Sequence, residues 1–155
     1  MCGIVTVAGE STKQNDNILE TLLILDQLRG IDSTGIAVIP RGDFDVNIAK
    51  NVGNAYDLFN TLQYGKAINC ATRAIIGHNR SATSGTVVRK NAHPFENDSL
   101  VGVHNGTLTS KWKLADSKDF TVDSENLYHH IHKHGLKDCL NHLTGAWSLV
   151  WWDKT

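Results

Sequence analysis

Directly behind its initiator methionine the chain places Cys2 and Gly3, followed by a run of β-forming residues, in MCGIVTVAG. A thiol at a chain end is a liability unless it is used, because ends fray and thiolates react. Two readings fit. Either Cys2 is an ordinary residue at the start of an edge strand, or Met1 is removed and one residue then carries both a thiol and a free α-amine. Further along, RGIDSTG sets Arg29 and Asp32 among glycines, and GHNRSATSG ends an apolar run on Arg80, where an unpaired guanidinium would be costly. NAHPF puts His93 next to a proline, VHNG brings Asn105 and Gly106 to a strand end, and VDSE places Asp123 at a helix start. Taken singly, each has an ordinary reading as a surface loop, salt bridge, turn or N-cap.

The histidines of HHIHKH (129–134) raise a metal reading, since His130 and His134 share a helix face at i,i+4 and His129 and His132 at i,i+3. No carboxylate or cysteine stands at matching spacing, so they read as helix-surface histidines and no metal is expected. Cys2, Cys70 and Cys139 are odd in number and widely spaced, which argues against a disulfide framework or a C-x-x-C knuckle. Cys70 and Cys139 lie in apolar settings and read as small buried hydrophobes.

The elements that must hold these residues follow from local pattern. Residues 3–9 form a strand. Residues 16–29 place Ile18, Leu22, Leu25 and Leu28 at helical spacing, with Asp16 as N-cap and Gly30 as the stop. Strands are expected over 35–40 and 44–50 about a turn at Gly42-Asp43, and a short helix after Asn54 ends at Gly65. Strands around 74–80 and 99–106 follow. A helix capped by Asp123 stops at Gly135, a second short helix leads on, and the last strand is AWSLVWWD. Strands next to their sequence neighbours and covered by helices indicate antiparallel sheets in an α+β domain. The strand WSLVWW carries three of 4 tryptophans with only DKT after it, so either something pairs with it or the chain is shorter than its natural domain.

Bulk properties narrow the class. A chain of 155 residues fits one domain, 1–155, with 41% hydrophobic residues and a net charge of -1. Without a basic footprint, nucleic acid is a poor partner. No apolar run suits a membrane span, and the start lacks a signal-peptide pattern, so a cytoplasmic location is expected.

The order MCGIV, RGIDSTG, GHNRSAT-SG, NAHPF, HNG and D-S-E opening a helix resembles the glutaminase domain of class II glutamine amidotransferases, which are N-terminal nucleophile (Ntn) hydrolases. Within them it looks most like the domain attached to glucosamine-6-phosphate synthase. The resemblance implies a four-layer αββα Ntn sandwich, shorter than the full family domain, and no cofactor. It also implies an activity: hydrolysis of the glutamine side-chain amide to glutamate and ammonia through a γ-glutamyl thioester. Met1 would be removed, leaving Cys2 as nucleophile with its own amine as base. Asn105 and the Gly106 N–H would form the oxyanion hole. Arg80 would clamp the α-carboxylate, Asp123 would take the α-ammonium and Thr83 would line the pocket, with His93 and Arg29 as buttresses. Ser81 and Ser84-Gly85 stand where the synthase relatives carry tryptophan and His-Gly. The implied partners are glutamine and an acceptor or synthase subunit, or a second copy of the chain. Two alternatives remain: an Ntn amidase for another amide, and a degenerate domain kept as an interaction module.

Overall fold

The computed structural model describes residues 1–9, 13–42 and 45–155. Strand β1 (Gly3–Ala8), helix α1 (Lys13–Asp26), β2 (Ser33–Pro40), β3 (Asn47–Val52), helices α2 (Ala55–Phe59) and α3 (Leu62–Ile68) and β4 (Thr72–Arg80) make the first half. The second half holds β5 (Phe95–Glu96), β6 (Leu100–Leu108), helix α4 (Asp123–His142) and β7 (Gly145–Asp153). Two antiparallel sheets result, ordered β1-β4-β2-β3 and β5-β6-β7. Ile39, Ile76 and Val103 meet between the sheets, while α1, α2 and α3 cover the outer face of the first and α4 that of the second. The layers are therefore αββα. All eight residues of β2 are buried, as a strand covered on both faces requires.

Helix α1 faces the sheet with a different stripe from the expected one. Leu19 and Leu23 are fully buried, whereas Ile18, Leu22, Leu25 and Leu28 are 42%, 40%, 61% and 95% exposed. The helix carries two apolar stripes one residue apart. The sheet takes the one whose continuation, Asp26, accepts a hydrogen bond from Asn79 Nδ2 on β4 at 3.1 Å. Glycine at position 77 leaves the gap into which Leu23 packs.

Other expectations shift in detail. Asp16 lies inside α1 and is not its N-cap. Gly65 falls within α3; the break comes earlier, where Thr61 Oγ1 accepts from Tyr64 N and starts a new helix. Asp123 is the first residue of α4 and not a cap, whereas Gly135, non-helical at φ 83° and ψ 162°, breaks α4 into two helical segments where the stop was expected. The turn expected at Gly42-Asp43 involves Asp43, which lies outside the described residues. Cys139 is buried, which pushes its thiol up to about 11, but Cys70 is only half-buried. His130 is also buried rather than on the surface, because its Nδ1 accepts from Ala115 N at 2.8 Å. Nε2 of that ring then carries the proton and donates to Asp138 Oδ2 at 3.0 Å, so neither nitrogen has a lone pair free for a metal. Strand β7 is an edge strand, with Trp147 39% exposed and Trp151 and Trp152 half-buried.

Candidate active site

The pairing of β1 with β4, Gly3 opposite Asn79, carries Cys2 to the end of β4, where Arg80 and Ser81 emerge. The Cys2 sulfur lies 3.4 Å from both the backbone N and O of Ser81. Arg29 Nε donates to the Cys2 carbonyl at 2.8 Å, so Arg29 holds the main chain of the thiol residue from an exposed position. Glycine is required next to it, since a Cβ at position 3 would fall 1.6 Å from Asp26 Oδ2. Gly30 is glycine for the same kind of reason: its φ of 179° is unstrained, but a Cβ would meet the Arg80 carbonyl carbon at 2.4 Å. From the same loop Asp32 fixes the segment after β4, with its Oδ2 accepting from Ala82 N at 2.7 Å and its backbone N donating to Arg80 O at 3.0 Å.

Cys2, Arg80, Thr83, His93, Gly106 and Asp123 all line one pocket. Its free volume is about 10 Å³, room for a single water. The Arg80 guanidinium is turned toward the carbonyls of Ser84 and Thr86. Asn105 does not line this pocket. It lines an adjoining cavity of about 360 Å³ with Met1, Cys2, Gly106 and Trp147. Gly106 borders both, at φ 147°, and a side chain there would strike the Ala146 carbonyl, 2.1 Å from an ideal Cβ. Arg29 is the one expected site residue outside both cavities.

Burial pushes the Cys2 thiol up, and the Ser81 backbone, the chain's amino terminus and Arg80 pull against it, while Asp123 adds to the rise. Asp123 Oδ1 accepts from Ser124 N at 3.0 Å at the start of α4, where the helix dipole favours a carboxylate.

Beneath the pocket lie three buried histidines. The rings of His78 and His93 stack with centroids 3.9 Å apart. His78 Nε2 donates to His104 O at 3.1 Å, and His104 Nδ1 is bonded to Ser124 Oγ at 2.8 Å. Burial drives all three toward the neutral form, His78 down to about 3 and His93 well below its ordinary value. His78, His104 and Ser124 are absent from the residues expected at the site, and Asp32, singled out in RGIDSTG, has no role among them. The signal for the histidines was available: His78 stands two residues before Arg80, on the same strand face, and His104 just before Asn105.

No family model matches the chain. Among curated proteins it is 31% identical to the glutamine–fructose-6-phosphate aminotransferase (isomerizing) of Brucella suis, over 97% of this chain and 26% of that protein. It is 36% identical to the enzyme of the same name from Streptococcus agalactiae, over 76% of this chain and 18% of that protein. The chain thus spans about a quarter of the length of the first of these relatives. Among solved structures, the glutamine phosphoribosylpyrophosphate amidotransferase of B. subtilis superposes with a TM-score of 0.73 at 23% identity, over 100% of this chain and 36% of that one. A class-II glutamine aminotransferase domain protein from Silicibacter pomeroyi does so with 0.50 at 16%, over 79% and 65%. The sandwich of these structures is the fold found here. With a sequence likeness that runs through nearly the whole chain, it makes this chain a domain of the class II glutamine amidotransferases.

Proposed function

We propose that the chain hydrolyses the side-chain amide of free glutamine and delivers the ammonia to an acceptor enzyme carried on another segment or another polypeptide. One observation carries the reading: the Cys2 thiol shares a pocket with Arg80 on one element and Asp123 on another, a cation and an anion suited to the two ends of a zwitterion. Removal of Met1 places an amine on Cys2 itself. An α-amine titrates near ~7.7–8.0 and can serve as base at working pH. It takes the thiol proton as sulfur attacks the amide carbon, and Asn105 and Gly106 N–H hold the oxyanion. The amine then passes the proton to the leaving nitrogen, which departs as ammonia and leaves the thioester. Water, deprotonated by the same amine, attacks the thioester carbon; the C–S bond breaks, the thiol is restored and glutamate leaves. The apolar cavity behind Gly106, which Met1 helps to line, gives the ammonia a way out of the substrate pocket.

A pocket of about 10 Å³ does not admit glutamine, so the 81–91 segment must move outward and Arg80 must exchange the Ser84 and Thr86 carbonyls for a carboxylate. The same closure favours a second reading, a module that no longer turns over. Three free thiols suit the reducing cytoplasm, the location we assign. Among the described residues no helix is long and apolar enough to cross a membrane. Among the described residues no strand pairs with the outer edge of β7, and that edge is where a second copy or a partner would add a strand.

Intact mass before and after a glutamine-analogue electrophile such as diazo-oxo-norleucine, together with ammonia release from glutamine, tests the proposal. Loss of Met1, one adduct on Cys2 and ammonia release are expected. Met1 retained on a protein that releases ammonia sinks the mechanism, and a processed but unreactive Cys2 selects the inert module.

A further inference from the structure

We propose that His104 is a positioning residue whose side chain ties the oxyanion strand to the acceptor of the substrate's α-ammonium, so that the two ends of glutamine are held in register. The inference rests on the glutaminase reading above. Its basis is a continuous set of short contacts. His104 precedes Asn105 and Gly106 on β6, and Ser124 follows Asp123 on α4. The bond of 2.8 Å between His104 Nδ1 and Ser124 Oγ joins these two pairs directly. Ser124 N in turn donates to Asp123 Oδ1 at 3.0 Å. On its other side the His104 carbonyl accepts from His78 Nε2 at 3.1 Å, and His78 shares a face of β4 with Arg80. The three elements that bear Arg80, Asn105-Gly106 and Asp123 are therefore joined through His104.

The bond is shielded from solvent. His78, His104 and Ser124 are 1%, 3% and 3% exposed, so no competing solvent replaces a lost partner. Either proton placement preserves it: a ring N–H donates to the hydroxyl, or the hydroxyl donates to the ring. The other ring nitrogen, Nε2, has no partner among the described residues, so the Ser124 bond is the polar contact that orients the imidazole. A histidine kept only to fill space would not need Nδ1 aimed at a hydroxyl next to Asp123.

Two substrates separate positioning from bulk. Glutaramate is glutamine without its α-amino group and makes no use of Asp123. For the full chain, kcat/KM for ammonia release is compared between glutamine and glutaramate, with Asp123→Asn setting the floor of that ratio. Ser124→Ala and His104→Gln are each expected to lower the ratio about fivefold to tenfold, the loss of one buried hydrogen bond. The double variant should fall no further than the worse single one. His104→Asn, whose short amide reaches the Nδ1 position, should keep the ratio within about twofold, although glutamine is nearer to histidine in volume. Ser124→Thr, which keeps the hydroxyl, should do the same, and this serine pair carries the test if a histidine variant does not fold. Equal losses on both substrates, additive losses, or an asparagine variant as impaired as the glutamine one would overturn the tether and leave the glutaminase reading standing. A parent chain that releases ammonia from neither amide would overturn both.

Discussion

The Cys2 sulfur has both backbone atoms of Ser81 as neighbours and feels Arg80 and Asp123 in opposite senses. In this setting Cys2→Ala is expected to abolish ammonia release while the melting temperature stays put, because a half-buried thiol contributes little to the core. Cys2→Ser keeps the amine and should retain a trace of activity. Arg80→Lys and Asp123→Asn should mainly raise KM for glutamine, since both act on groups present in ground state and transition state alike. Asn105→Ala should instead lower kcat by ~100–1000-fold with KM little changed, as removal of an oxyanion donor does. Steady-state ammonia release separates the three, and matching effects on both constants would show the roles to be wrongly divided.

Elements are placed by a few close approaches. Helix α4 lies on its sheet where Tyr128 crosses Gly102, and a Cβ at position 102 would sit 2.4 Å from the ring. The Tyr128 hydroxyl donates to Val103 O at 2.6 Å, bonding the helix that carries Asp123 to the strand that carries Asn105. Gly102→Ala must push the ring off the strand, with an expected loss of about 1–3 kcal/mol in urea unfolding. The effect on glutamine turnover should exceed that of a substitution as destabilising on the far side of the first sheet, such as one at Ala49. Leu23→Ala, in the buried stripe of α1, is expected to cost about 2–5 kcal/mol, whereas Leu25→Ala on the exposed stripe should change stability by less than ~0.5 kcal/mol.

For the molecule as a whole, the buried histidines set a pH limit on folding. The folded-state values of His78 and His93 are depressed, His78 to about 3. Their contribution is fully present above the unfolded value of ~6.5 and is lost as pH falls from there toward 3, because the unfolded chain binds the protons. Each adds up to about 1.4 kcal/mol per pH unit to the decline. Urea unfolding should therefore show clearly lower stability at pH 5 than at pH 7.5, and a flat profile would contradict their neutral burial. Association belongs to the same scale. The open edge of β7, with its exposed Trp147, is expected to pair, so light scattering should give a mass above the 17.1 kDa of one chain and Trp147→Lys should reduce it. A monodisperse single chain would remove the case for self-association through this edge.

The sequence by itself determined which chemistry-bearing residues exist and in what order, from Cys2 through Arg80 and Asn105 to Asp123. It also marked most strands and helices, since β-branched runs, glycines and helix spacing are local signals. Gly135 was legible as a break for the same reason, because a positive φ there needs no partner to explain it. Tertiary structure decided the rest. Two leucine stripes on α1 differ by a rotation of about 100° about its axis, and only the gap over Gly77 and the bond from Asn79 to Asp26 selected Leu19 and Leu23. His130 reads as a surface residue until Ala115 N and Asp138 close on its ring. The His78–His104–Ser124 link joins residues 26 and 20 positions apart, across two sheets and a helix. A pattern of period two or 3.6 reports how a residue faces its own element. Which neighbour meets that face depends on packing between elements that no local window contains.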